Sequence, residues 1–150
     1  MTELFCGISR RIRFFLGNGG NLKRFSFPKK RRLLTDEQFK AVLARRLSAS
    51  DGLLKVFIAD NDCRYPRLGV SVGKTSGGAV TRNRLKRLMR EAFRLSQERI
   101  PAGFDYLVMI SPQWPPNRAE SVKNEAKKLR LEEVKRSLLT LVEKLMGKIA

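Results

Sequence analysis

Histidine is absent from the 150 residues, and with it go the usual general base near neutral pH, Ser-His-Asp and Cys-His arrangements, and HExxH zinc sites. Side-chain catalysis would need carboxylates, lysine, tyrosine or cysteine. Cysteine is scarce: Cys6 and Cys63 are the only two. They neither complete a zinc site without further N or S ligands nor make a disulfide framework, so a reducing, cytoplasmic setting is expected. No apolar run approaches the ~20 residues of a membrane span. Near the N-terminus, Leu4–Ile8 and Ile12–Leu16 are interrupted by Arg10, Arg11 and Arg13, which denies a signal peptide its apolar region. No membrane partner is expected. Glu3 and the Gly-rich run 17–21 also argue against a transit peptide. Acidic residues are few as well, 14 against 32 Lys and Arg, for a net charge of +18. A field of that size and sign favours polyanions.

What is present suffices for one core. Apolar residues make up 42% of the chain, and a chain of this length normally forms a single domain. Residues 1–24 read as a basic, mobile extension and 25–150 as one α/β domain. Phe25-Ser26-Phe27-Pro28 leads into Lys29-Lys30-Arg31-Arg32, an extended basic segment. Thr35, with Gln38 three residues on, makes a capping box for a helix burying Phe39, Val42, Leu43 and Leu47. Ser48–Gly52 reads as a turn. Leu53–Ala59 and Arg67–Val72 read as strands of an antiparallel hairpin. A helix from about Val80 to Arg99 follows, and then Phe104–Ser111, a strand apolar enough to be buried on both faces. After Pro112, Pro115 and Pro116, one long helix is expected over about 118–146, with an apolar stripe only in its second half. Its polar start, with Lys123, Lys127, Lys128 and Arg130, reads as a solvated extension, RNA contact being the alternative. Trp114 reads as a cap on the sheet edge.

Gly73-Lys74-Thr75 imitates the end of a phosphate-binding P-loop, but the required first glycine falls on Leu68, and Gly69 is one residue out of register. The informative stretch is the helix after it. Between Arg82 and Arg94 there are six cations and one anion in thirteen residues. Arg82, Lys86, Arg90 and Arg94 recur at i, i+4, i+8 and i+12 as one ridge, flanked by Arg84 and Arg87, while Leu85, Leu88, Met89, Ala92 and Phe93 form the opposite, inward stripe. A solvated helix face normally mixes signs so that i,i+4 pairs can form. This one does not, and its self-repulsion calls for a polyanionic partner. Arginine forks suit phosphate oxygens, and Asn83 can bond a base edge or a sugar.

The run A-V-x-R-N-R-x-K-R-x-x-R from Ala79 to Arg90, following a strand, Lys74 and a Gly-rich loop, resembles the signature of the bacterial ribonuclease P protein component. Phe27-Pro28-Lys29, Arg32-Leu33 and Phe39 resemble that family's N-terminal pattern. The resemblance covers about 25–111 and resumes near 131–145. Thr75 stands where a second Lys is common and Gly78 where Asn is usual, and 1–24 and about 112–130 read as additions.

The resemblance implies an α/β (α+β) sandwich with a central mixed sheet covered by helices. It also implies a left-handed β-α-β crossover carrying the Arg-Asn-Arg helix, against the general right-handed rule. It implies the protein subunit of a ribozyme endoribonuclease: the catalytic RNA, with bound Mg²⁺, removes the 5′ leader of precursor tRNA, and the protein assists. No catalytic side chain and no protein-only metal site are expected, nor an obligate protein partner. Carried over position by position, Lys74, Arg82, Asn83, Arg84, Lys86, Arg87, Arg90 and Arg94 are the expected contacts to the catalytic RNA. Phe39 and Phe57 are expected in the floor of a cleft for the single-stranded leader, where aromatic surface stacks bases; plain core packing is the alternative for both. Lys29, Lys30, Arg31 and Arg32 either line that channel or form a solvated basic segment. Three rivals remain. A structural RNA-binding protein shares the charge, a helix-turn-helix protein lacks the flanking strands seen here, and an autonomous nuclease would draw on Asp60, Asp62 and Asp105.

Overall fold

The computed structural model describes residues 27–115 and 122–149; the expected 1–24 extension and the first residues of the expected 118–146 helix lie outside them. The helices are α1 (Asp36–Ala44), α2 (Ala79–Leu95), α3 (Val122–Lys128) and α4 (Leu131–Ile149). The strands are β1 (Ser48–Ser50), β2 (Leu54–Asp60), β3 (Arg67–Ser71) and β4 (Phe104–Ile110), in one sheet of order β1-β2-β4-β3. β4 runs antiparallel to β2 and parallel to β3, so the fold is a mixed, α+β one and α2 lies in the crossover between two parallel neighbours.

This topology corrects the expected hairpin between β2 and β3: β4 lies between them. The physical reason is burial. Phe104 to Val108 are buried without interruption, and the most continuously apolar strand takes the centre of the sheet. A second correction concerns Ser48–Ser50, read as turn but paired with Phe57, Val56 and Lys55 as an edge strand. Its polar side chains carry no strand signal; its backbone hydrogen bonds do the work.

Alternation along the strands assigns the two faces. Leu54, Val56 and Ile58 of β2, Leu68 of β3, and Tyr106 and Val108 of β4 meet Leu85, Met89 and Phe93 of α2 and Leu138, Leu141 and Leu145 of α4 in the main core. Phe93 and Tyr106 rings lie 6.0 Å apart. The Tyr106 hydroxyl donates to the Pro101 carbonyl at 2.8 Å, and burial raises its pKa well above the ordinary value. The other face is covered only in part. There α1 and Leu33 meet Ala59 and Leu107, with Phe39, Phe57 and Met109 around them.

The capping box at Thr35 forms as read: its hydroxyl accepts from Gln38 N–H at 3.3 Å, and Gln38 Oε1 accepts from Thr35 N–H at 3.2 Å. The helix ends at Ala44, short of Leu47, because Arg46 turns the chain with φ 54°. Only Val42 of α1 is fully buried; Leu43, expected inside, is 40% exposed. The single long C-terminal helix is replaced by α3 and α4, broken where Leu129 turns inward and Glu133 accepts from Arg130 N–H at 2.9 Å. Trp114 packs partly buried against the main core. It shares a groove with Asp51, Leu53 and Leu129.

Candidate nucleic-acid interface

α2 buries Thr81, Leu85, Met89, Ala92 and Phe93 and turns the rest of its surface outward. Leu88, expected in the buried stripe, is only half-buried and lines a groove of about 700 Å³ with Val80, Asn83, Arg84, Arg87, Arg90 and Leu131. On the other side of the helix, Phe27, Arg32, Arg87, Arg90, Glu91 and Arg94 line a second groove of about 450 Å³. Arg87, Arg90 and Glu91 line both grooves and so form the crest between them. Both arginines are exposed, and among the described residues neither has an ion-pair partner. The α2 N-terminus adds to the field: Gly78 caps it without a side-chain hydrogen bond, leaving N–H groups that favour anions. Lys74 lies exposed in the preceding 3-10 turn, Lys74–Ser76.

The other expected contacts differ in availability. Asn83 is exposed, while Arg82 and Lys86 are half-buried because their positions wrap towards the sheet; Arg82 Nε is buried without a hydrogen-bond partner. Arg94 is engaged by Glu91 at 2.8 Å. That hydrogen bond raises the arginine and lowers the carboxyl, so this end of the ridge is partly neutralised. Arg84, exposed and lining the first groove, is also tied to a neighbouring helix. Its Nε donates to the Ala126 carbonyl at 2.8 Å, and its NH2 nitrogen to the carbonyls of Lys127 and Leu129 at 3.3 and 3.4 Å. It caps the C-terminus of α3.

The expected leader cleft divides. Phe39 and Phe57 do share one half-covered face of the sheet, with Met109 beside them and Lys55 Nζ 5.0 Å from the Phe57 ring centre. Lys55 and Met109 share this face and are not singled out in the sequence. Strand alternation marks Lys55 as a neighbour of Phe57, but only the β2–β4 register, Lys55 opposite Met109, joins the two strands. The basic segment goes elsewhere. Arg32 bridges to Leu68, so its side chain shares that residue's face of the sheet and lies towards α2, while Leu33 points to the α1 face. Arg32 also sits over the Phe27 ring at 5.2 Å. Lys29, Lys30 and Arg31 form a 3-10 turn, Lys29 and Lys30 being exposed. Lys30 and Arg31 lie over the Tyr65 ring at 5.3 and 5.5 Å, and Arg31 donates to Gln97. Burial lowers the Arg31 pKa, against the opposing influence of Tyr65.

The three candidate acids do not assemble. Asp105 is held by Arg67 through two hydrogen bonds of 2.7 and 2.6 Å and by Asn61 at 2.8 Å. Asp60 pairs with Arg45 at 3.1 Å, and Asp62 is exposed. Among the described residues no three of His, Cys, Asp or Glu gather as a metal-binding group, and no helix is long and apolar enough to cross a membrane.

Comparison with known proteins agrees with this geometry. The family profile described as Ribonuclease P matches residues 27–145. The ribonuclease P protein component of Haemophilus influenzae (strain PittGG) is 42% identical over 85 residues, 56% of this chain and 71% of that protein. That of Alkaliphilus metalliredigens (strain QYMF) is 29% identical over 114 residues, 76% and 92% of the two chains. Among solved structures, the ribonuclease P protein of Thermotoga maritima superposes with TM-score 0.64 at 29% identity, covering 75% of this chain and 96% of that one. The Staphylococcus aureus protein superposes at 0.61 with 25% identity, covering 79% and 96%. With sequence, topology and basic helix in accord, the chain belongs to the ribonuclease P protein family, the protein component of the ribonucleoprotein that matures the 5′ end of tRNA.

Proposed function

We infer that this chain serves as the accessory protein subunit of a ribozyme: the RNA subunit carries out phosphodiester hydrolysis, and the protein binds that RNA and the 5′ leader of precursor tRNA. The observation that carries the reading is the outer surface of α2, where Arg87 and Arg90 stand exposed between two basic grooves. Arginine forks on a rigid helix suit the phosphates of a folded RNA. The open half of the sheet, with Phe39, Phe57 and Met109, supplies the other function. An apolar, aromatic floor beside Lys55 suits an unpaired strand, whose bases stack while a cation meets the backbone.

Mg²⁺ enters this reading as the RNA's ion. The described side chains offer no cluster of the kind that cages a divalent cation, and the exposed cations of α2 oppose one. Neutralising phosphates with arginine and lysine lets two RNAs approach each other with fewer metal ions between them, so the protein's contribution is largest at low Mg²⁺. A cytoplasmic setting belongs to the same reading.

The test is cleavage of a precursor tRNA at low Mg²⁺ by the ribonuclease P RNA of the same organism, with and without this protein, beside the protein alone. Stimulation only when both are present supports the accessory role. Cleavage by the protein alone, or RNA binding without stimulation, overturns it.

A further inference from the structure

We propose that α3 is a second RNA-contacting element, in which Lys123 and Lys127 carry the phosphate-binding surface of α2 onto a neighbouring helix, with Arg84 as the residue that positions it. The proposal rests on the RNA-binding reading above and extends it to α3, whose lysines the sequence reads as part of a solvated extension.

A seven-residue helix has no stability of its own in water, so α3 exists because the fold holds it. Two sets of contacts do so. Ala126 and Leu129 are buried in the main core, and Arg84 reaches across from α2 to the carbonyls of Ala126, Lys127 and Leu129. Three C-terminal carbonyls that would face water or remain unpaired are satisfied by one guanidinium. An arginine that lines the α2 groove thereby also fixes α3.

What α3 then presents is cationic. From Lys123 to Arg130 there are four cations and one anion. Glu125 is taken by Lys128 at 3.4 Å. Lys123 and Lys127, at i and i+4, lie on one side of the helix, exposed, and among the described residues neither makes an ion pair. Two like charges at that spacing weaken a helix that is already short. Burial of Ala126 and Leu129 accounts for the docking but not for two unpaired lysines held side by side; a polyanion lying along α2 would gain two further phosphate contacts there. Charge complementarity and continuity with α2 both select RNA as the occupant.

The experiment compares four full-length variants with the wild type: K123A/K127A, R84A, R84A/K123A/K127A and R87A/R90A. Affinity for ribonuclease P RNA is measured against salt, with amide hydrogen exchange over 122–130 as a second readout. If α3 touches RNA, K123A/K127A keeps its thermal midpoint, binds roughly tenfold more weakly and lowers the log-log salt slope by about 2. R84A speeds exchange across α3, and adding K123A/K127A to it costs little more, because lysines on an unclamped helix are no longer positioned. Should R84A fail to fold, R84K, which keeps one donor, takes its place. A wild-type slope for K123A/K127A beside a flattened one for R87A/R90A overturns the α3 contact and leaves the α2 reading standing. Wild-type slopes for both overturn the RNA-binding reading itself. Additive losses, or unaltered exchange in R84A, overturn the positioning role of Arg84.

Discussion

The ring of Phe39 rests directly on Gly69: a Cβ at that glycine would lie 2.9 Å from Phe39 Cε1 and 3.0 to 3.1 Å from Leu33. Gly69 is the point where β3 lets α1 approach the sheet, and that approach sets the height of Phe39 above the open floor. Gly69→Ala forces both side chains outward. Overpacking of this kind costs about 1–3 kcal/mol, readable as a lower urea midpoint at unchanged slope. If Phe39 floors a leader cleft, leader-dependent binding falls as well, because the ring is displaced.

Phe57 offers a cleaner separation of packing from binding. It is half-buried and carries the Lys55 ammonium over its ring. Phe57→Leu keeps the apolar volume and removes the stacking surface. If a leader base stacks there, affinity for a precursor with its leader drops by about 1–3 kcal/mol, while affinity for leaderless tRNA stays the same. Equal losses for both ligands would assign Phe57 to the core alone.

Asp105 is 6% exposed and fixes Arg67 across the parallel β3–β4 pair, with Asn61 as a third member. The carboxylate holds the arginine pKa up through its hydrogen bond. Asp105→Ala leaves a half-buried guanidinium without its partner and should cost about 3 kcal/mol in denaturant unfolding. The joint replacement Arg67→Met with Asp105→Leu should recover most of that loss, since no charge is then left buried.

Asp51 gives the fold an acid-side dependence. Burial pushes its carboxyl pKa up, but hydrogen bonds from the Ser137 hydroxyl and from Leu54 and Leu53 N–H, with Lys144 nearby, outweigh burial and bring it below the ordinary value. A depressed folded-state pKa means that the unfolded chain takes up the proton first. The stabilisation is therefore complete above the unfolded pKa of about 3.9 and is lost as pH falls through the folded value. Asp51→Asn should flatten the decline in stability between about pH 5 and pH 2, measured by urea unfolding. Identical acid limbs for variant and wild type would exclude this role.

Much of the molecule is legible in one dimension. The capping box at Thr35, the helix after Lys74 with its apolar and cationic stripes, and the doubly buried β4 follow from spacing and composition, because helix and strand periods are local properties of the backbone. The arginine crest is legible for the same reason: uncompensated like charge on one helix face needs no tertiary information to be noticed. The missing histidine likewise narrows the chemistry independently of the fold.

Tertiary structure decided what each cation does. Arg84 and Arg87 are neighbours in a helical projection and line one groove, yet only Arg84 caps α3, a difference set by where residues 122–130 dock. Arg32 and Leu33 are neighbours in the chain, but a bridge to Leu68 sends them to opposite faces of the sheet. Phe57 and Met109 join one floor only through the β2–β4 register, and β4 separated two strands that looked like a hairpin. Strand order, register and docking arise from contacts between residues far apart in the chain, which no local period encodes. Local spacing accounts for most of the elements and for the charge; packing decides which cations stay exposed.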